Sequence, residues 1–480
     1  MKKSALALAC LLLAGCWSVL PSSGGGQTAF QGRRTPNPAN PADIALPEGY
    51  SAEAVATGFT FPTGVAFDDR GGVYVLEAGY SYGEVWTTPR LLKVNPGGAP
   101  TVVATGENPP WNGIAFHGGA FYVSEGGEKN GGRILKVTPD GTVTPIVDGL
   151  PSLGDHHTDG PAVGSDGWIY FGQGTATNSG VVGTDNFEFG WLERHPDFHD
   201  VPCKGIRLVG KNFTSDDPLH PGRKATTGAY QPFGQASTAG QVVPGKVPCG
   251  GAVMRVRPEG GTPELVAWGF RNPFGLAFAP DGALYLTENG YDQRGSRPVF
   301  GSPDVLWRVD SGAWHGWPDY AMGVKLKDGQ FHQGSNPPLE SVLAEEPGTP
   351  PKPAATFGVH ASANGFDFSR SAAFGHVGEA FVAEFGDMAP KVGKVLGPVG
   401  FKVVRVDPQT GRVEDFAVNR RDKGPASRVG GGGLERPVAA RFDPSGEALY
   451  VVDFGVMTVG PQGPQPRQET GVLWRIRRSR

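Results

Sequence analysis

Gly64-Val-Ala-Phe-Asp-Asp-Arg-Gly-Gly-Val-Tyr74-Val-Leu-Glu77 decides the fold, because five variations on it follow along the chain. Each copy opens on a small residue and runs through an apolar stretch to a tight turn. An aromatic residue comes next, and three positions later a carboxylate or amide. Gly113-Ile-Ala-Phe leads through Tyr122 to Glu125, and Gly160 leads through Tyr170 to Gln173. Gly275-Leu-Ala-Phe-Ala-Pro-Asp-Gly leads through Tyr285 to Glu288. The last two copies run from Gly365 through Phe381 to Glu384 and from Ala439 through Tyr450 to Asp453. Every copy reads as two short strands around a Gly, Asp or Pro turn, which is hairpin chemistry. Strand-only repeats of roughly 45 residues and more predict an all-β propeller. Six copies predict six blades.

A second strand pair follows most copies. Leu91-Leu-Lys-Val leads to Thr101-Val-Val-Ala, Ile134-Leu-Lys-Val to Thr144-Pro-Ile-Val, and Val253-Met-Arg-Val to Glu264-Leu-Val-Ala. The final copy ends on Val472-Leu-Trp-Arg-Ile with no partner strand after it. Tyr50-Ser-Ala-Glu-Ala-Val-Ala-Thr-Gly58 is similar to Thr101-Val-Val-Ala-Thr-Gly106, so the N-terminal strand is expected to join the last blade and close the ring. The 75 glycines and 44 prolines of the 480 residues suit a chain dominated by turns. With 43 basic against 47 acidic residues and no basic block, the surface is not one for nucleic acid.

Residues 1–16 read as an export signal: Met-Lys-Lys, an apolar run from Ala5 to Leu13, then Leu13-Ala-Gly-Cys16. That ending resembles the bacterial lipobox, which implies a lipid on Cys16 as a membrane anchor. The expected location is the periplasmic side of the outer membrane or the cell surface. Residues 17–45, rich in Ser, Gly, Pro and Asn, are expected to form a flexible tether. Residues 46–480 would then be the propeller, with a long insertion at 174–250 in its third blade. Cys203 and Cys249 bracket that insertion, and in an exported chain they are expected to form a disulfide.

The up-and-down path of a blade puts residues before the repeated small residue and residues after the carboxylate on one rim of the central channel. That rim collects Trp111-Asn112, Asp155-His156-His157, Arg271-Asn272, His360 and Arg436 with Glu77, Glu125, Gln173, Glu288, Glu384 and Asp453. The insertion leaves from the same rim, where it can roof the channel mouth. The ring of carboxylates has two readings, bonds to backbone amides between neighbouring blades or ligands for a metal.

Gly269-Phe-Arg-Asn-Pro-Phe-Gly-Leu-Ala-Phe-Ala-Pro-Asp-Gly-Ala-Leu-Tyr-Leu-Thr-Glu-Asn-Gly290 resembles the glucose/sorbosone dehydrogenase family. The likeness continues at Gly154-Asp-His-His-Thr, at His360-Ala-Ser-Ala-Asn-Gly and at Gly400-Phe-Lys-Val-Val-Arg-Val. These are six-bladed propellers that oxidise sugars with pyrroloquinoline quinone (PQQ) and calcium. The resemblance implies His156 as the catalytic base, chosen over His157 by counting back from Gly164-Ser-Asp-Gly. It implies Arg271 and Asn272 as contacts to the quinone, with Lys391 supplying charge for a cofactor carboxylate. It implies that backbone carbonyls of Gly290 and Tyr291 bind calcium. The expected reaction is removal of a sugar hydroxyl proton by imidazole with hydride transfer to the quinone, an electron acceptor being needed to complete the cycle. Two other functions stay open: a tethered propeller that binds glycans or proteins without catalysis, and a metal-dependent hydrolase of the lactonase type.

Overall fold

The computed structural model describes residues 37–127, 130–188, 190–333, 338–388, 398–460 and 463–479. The expected signal, Cys16 and Lys391 lie outside the described residues. Six antiparallel sheets surround one axis. From the axis outward, blade one is Pro62–Phe67, Val73–Glu77, Arg90–Lys93 and Thr101–Thr105. Blade two is Trp111–His117, Ala120–Glu125, Gly132–Val137 and Val143–Leu150. Blade three is Thr158–Val163, Ile169–Gln173, Ala252–Val256 and Glu264–Trp268. Blade four is Pro273–Phe278, Leu284–Glu288, Pro303–Arg308 and Ala355–Val359. Blade five is Ala363–Phe368, Ala380–Glu384, Lys402–Asp407 and Arg412–Asn419. Blade six is Pro437–Phe442, Ala448–Asp453, Gly471–Arg478 and, outermost, the N-terminal strand Tyr50–Phe59. Tyr50 pairs with Arg478 and Phe59 with Gly471 across that seam.

The innermost strands pack each on the next, and blade six returns to blade one. The small residue of the repeat is required where these strands converge. A Cβ at Gly113 would stand 1.5 Å from the Gly160 carbonyl oxygen of the next blade, and one at Gly275 would stand 2.4 Å from that of Asn364. Gly64, Gly113, Gly160, Gly275, Gly365 and Ala439 all line a narrow axial channel with about 30 Å³ of free space. The second strands are not half-exposed as simple alternation suggests. Ala120–Glu125, Ile169–Gln173, Ala380–Glu384 and Ala448–Asp453 are buried throughout, because each lies between two neighbouring blades. The repeated aromatic residue fills this space, as Tyr74 does against Phe121 at 4.5 Å between ring centroids.

The expected flexible tether is corrected at its C-terminal end. Ile44–Ala45 adds a fifth strand to blade five through Asn419 and Val418, with Ile44 buried, and Asp43 accepts the Gly432 amide. The segment from residue 37 therefore belongs to the folded body. Between Gln173 and Ala252 the insertion carries two short helices, Thr184–Glu188 and Trp191–Arg194, and a hairpin of Asn212–Asp216 with Lys224–Gly228. Cys203 and Cys249 are disulfide-bonded at its base. A second excursion, residues 309–354 of blade four, was not anticipated from the sequence.

Candidate active site

The repeated carboxylates hold the segments that lead into their blades. Glu77 accepts the Thr60 amide at 2.7 Å and pairs with Arg90, while Asp453 accepts the amides of Glu435 and Arg436 at 2.7 and 2.8 Å. Glu288 accepts the Arg271 amide and the Trp307 indole N–H. Glu125 takes the indole of Trp111 at 3.1 Å, and Gln173 takes the Thr158 hydroxyl at 2.9 Å. These side chains fasten the strand arriving at the axis to the strand beside it. Of the two readings of the ring, bonds to backbone amides are what Glu77, Glu288 and Asp453 make, to the segments that lead from one blade into the next. The reason is reach: the aromatic-x-x-carboxylate spacing ends opposite the start of the same hairpin. Burial pushes Glu288 up to about 7 and Glu384 up to about 8, the latter opposed by Lys402. Among the described residues no three of His, Cys, Asp and Glu are grouped as metal ligands. The carboxylates that a channel-metal hydrolase would need are committed elsewhere.

Above this layer lies a cavity of about 470 Å³. His156, His157, Arg271, Asn272, Gly290 and His360 line it, so residues from blades three, four and five meet there as the rim geometry predicts. Tyr291 is buried beside it, with its hydroxyl donating to the Tyr320 carbonyl at 2.8 Å. Trp111 and Arg436 do not join them. Trp111 is core, and Arg436 is buried against the carbonyls of Met457 and Gly386, where burial brings its guanidinium down to about 10. Tyr80 and Tyr82 of a blade-one hairpin, Pro464 of a blade-six hairpin, and Glu188 and Trp191 of the insertion form the mouth.

His156 is held by the insertion. Its Nδ1 lies 2.9 Å from the Thr175 carbonyl and 3.1 Å from the Thr175 hydroxyl. A carbonyl only accepts, so Nδ1 carries the proton and Nε2 is the basic nitrogen. Burial, reinforced by Arg271 and Arg294, holds the imidazole well below its ordinary range, so it is neutral at physiological pH.

Arg271 is almost wholly buried, and each part of its guanidinium has a partner. Nη2 meets Asp292 at 2.7 Å, Nε donates to the Asn178 amide oxygen at 3.2 Å, and Nη1 to the Asn289 carbonyl at 3.3 Å. Arg294 gathers Asp155, Asp185 and Asp292 at 2.8, 2.6 and 3.1 Å. Burial alone would raise Asp292, but Arg271, Arg294 and His360 outweigh it and keep that carboxylate ionised. Asp155 is pushed up to about 6 by burial against the pull of Arg294. Asn272 donates to the Asn289 side chain at 2.9 Å, and its side-chain Oδ1 is buried with no partner among the described residues. Asp304 accepts the amides of Gly290 and Ala363 at 2.7 and 2.9 Å and so joins blade four to blade five under the cavity.

Sequence reasoning missed Asn178, Asp292, Arg294 and Asp304. One signal was available, since an arginine placed in a blade core demands a counter-ion and Asp292 directly follows Gly290-Tyr291.

Residues 239–383 match the family model described as Glucose / Sorbosone dehydrogenase. No curated protein matches the chain. Solved structures similar to it include the PQQ domain of a pyranose dehydrogenase from Coprinopsis cinerea in its holo form, 14% identical over 92% of this chain and 98% of that one, with a TM-score of 0.54. A family AA12 carbohydrate-active enzyme from Trichoderma reesei is 17% identical over 93% and 100%, with a TM-score of 0.53. The soluble aldose sugar dehydrogenase from Escherichia coli is 15% identical over 89% and 99%, with a TM-score of 0.50. At these identities the structural likeness establishes the fold. The matched segment carries Arg271, Asn272, Gly290, Tyr291 and His360, and the resemblance read from the sequence is borne out: this six-bladed propeller is similar, over that segment, to the glucose/sorbosone dehydrogenase family.

Proposed function

We propose that this chain oxidises an aldose or a related sugar by hydride transfer to PQQ held with calcium in the cavity above the axial channel. The observation that carries the reading is the meeting of a neutral, tautomer-fixed His156 with Arg271 and the unpartnered Asn272 oxygen inside that cavity. The residues fit such a group. The cavity lies in the range usual for cofactor sites, and the buried Asn272 oxygen asks for a donor or a cation.

Charge supports the calcium. Among the described residues, Glu84, Asp155, Glu188, Asp292, Asp304 and Asp387 line the cavity against Arg271 and Arg294. A quinone bearing three carboxylates would be repelled from such a mouth without a divalent cation. The carbonyls of Gly290 and Tyr291 and the Asn272 oxygen are the hard donors suited to it. When bound, the quinone supplies the hydride acceptor and calcium the Lewis acid.

The protein's part follows from its own geometry. Nε2 of His156 takes the proton of the sugar hydroxyl as hydride leaves the same carbon. The resulting imidazolium is stabilised through Nδ1–H by the Thr175 carbonyl. Arg271, itself held by Asp292 and Asn178, orients an anionic group without having to reorganise. His157 lines the same cavity with its ring edge-on to Tyr80, whereas the Thr175 contacts go to His156.

Reconstitution with PQQ and calcium, followed by dye reduction over a panel of aldoses, tests the reading. His156→Gln should lower kcat by about a hundredfold or more. His157→Gln should retain most of it, and equal losses would overturn the assignment of the base. The Cys203–Cys249 disulfide further supports an oxidising compartment, in keeping with the export signal and the lipid anchor on Cys16 that we propose for the N-terminus.

A further inference from the structure

The insertion reaches the base through one carboxylate. Asp200 is 2% exposed. It accepts the amides of Ala176 and Thr177 at 2.7 and 3.3 Å and the Thr177 hydroxyl at 2.5 Å. That hydroxyl in turn receives the Gly180 amide at 2.8 Å, and the Thr177 carbonyl takes the Thr175 hydroxyl at 2.7 Å. The Ala176 carbonyl accepts the amide of Asp155, the residue before His156, at 3.0 Å. The Thr175 amide bonds the Arg271 carbonyl at 2.9 Å. Residues 175–177 therefore touch both the base and the arginine, and Asp200 fastens them from behind. Asp200 is itself secured where the insertion closes. The Val201 carbonyl accepts the Gly250 amide at 2.9 Å, and Cys203 is bonded to Cys249.

We infer that Asp200 is a positioning residue: by gripping residues 175–177 it holds the Thr175 carbonyl on Nδ1 of His156 and so selects the tautomer that leaves Nε2 free to take a proton. This rests on His156 being the base. Asp200 touches neither the cavity nor His156, so its effect passes through residues 175–177. Among the described residues nothing else fixes Nδ1, since both of its partners belong to Thr175. Loss of the grip frees the ring to exchange its proton between the two nitrogens.

The test reads the tautomer directly, in full-length apoprotein labelled with ¹⁵N-histidine, the His156 signal being assigned by its loss in His156→Gln. Wild type should show Nδ1–H alone. Asp200→Ala should show a mixture with Nε2–H, and Asp200→Asn, which keeps one acceptor oxygen for the amides, should restore much of the native signal. An unchanged Nδ1–H signal in folded Asp200→Ala overturns the inference. Should that variant fail to fold, Thr177→Val removes the hydroxyl bonds to Asp200 and Gly180 and should give a partial mixture, and an unchanged signal there overturns the inference. In reconstituted enzyme Asp200→Ala should lower kcat by about a hundredfold with KM little changed. If His156→Gln keeps full turnover, the base assignment falls, whereas the tautomer measurement still judges Asp200 by itself.

Discussion

Replacing Arg294 by methionine removes one guanidinium from among three carboxylates while keeping most of the side-chain volume. Asp155 and Asp185 are both nearly inaccessible, and Asp292 sits between Arg294 and Arg271. Stripping the partner from a buried ion pair costs about 3–5 kcal/mol. Here the survivors have an escape, because a buried carboxyl can take up a proton instead of staying charged. Asp155 already stands at about 6 with Arg294 opposing the effect of burial, so without that arginine it moves higher still. A carboxyl whose folded value is raised favours the folded state increasingly as pH falls. The deficit should therefore be close to the full 3–5 kcal/mol at about pH 8 and shrink toward about pH 5. Urea unfolding followed by tryptophan fluorescence at both pH values measures it. A deficit under about 1 kcal/mol at the higher pH, or one equal at both, would refute the view that Arg294 neutralises this cluster.

Other outcomes follow from the same geometry. Gly113→Ala should destabilise by about 1–3 kcal/mol or prevent folding, since its methyl meets the Gly160 carbonyl, while Gly98→Ala, whose nearest neighbour is 3.6 Å away, should leave the melting temperature unchanged. Replacing Cys203 and Cys249 together by serine opens a loop with a sequence separation of 46 and should cost about 4 kcal/mol on the chain-entropy account, read as a shift in the urea midpoint. Glu384 has a folded value of about 8 against an ordinary 4.5, so it favours folding below about 4.5 and loses that contribution as pH rises toward 8. Glu384→Gln should accordingly flatten the fall in stability over that window, and curves of wild type and variant that stay parallel would contradict it.

The blades were legible because each repeat is local: Gly64 to Glu77 carries its own turn, its own alternation and its own fastening carboxylate. The convergence of His156, Arg271, Asn272 and His360 was legible too, as a consequence of strand direction in a closed ring. What escaped was contact between distant segments with no periodic signal. Arg294 meets Asp155 and Asp185 across more than a hundred residues. Asp200 acts on His156 through a backbone turn. The segment at 37–45 has a linker's composition, yet Ile44 finds a buried place on blade five and orders it. Side chains such as Trp111 and Arg436 occupy rim positions in sequence but turn inward, because an indole finds a carboxylate within its own blade and a guanidinium finds carbonyls of blades five and six.

The cavity above the axis is proposed to hold an anionic quinone through a divalent cation, with Arg271 among the residues that would hold it. Titration of the full-length apoprotein with PQQ, followed by cofactor absorbance with and without calcium, tests it most directly. Saturable binding of one quinone per chain at micromolar concentration is expected, abolished by chelation and greatly weakened by Arg271→Ala. Absence of saturable binding with calcium present, or binding indifferent to both calcium and Arg271, would contradict it.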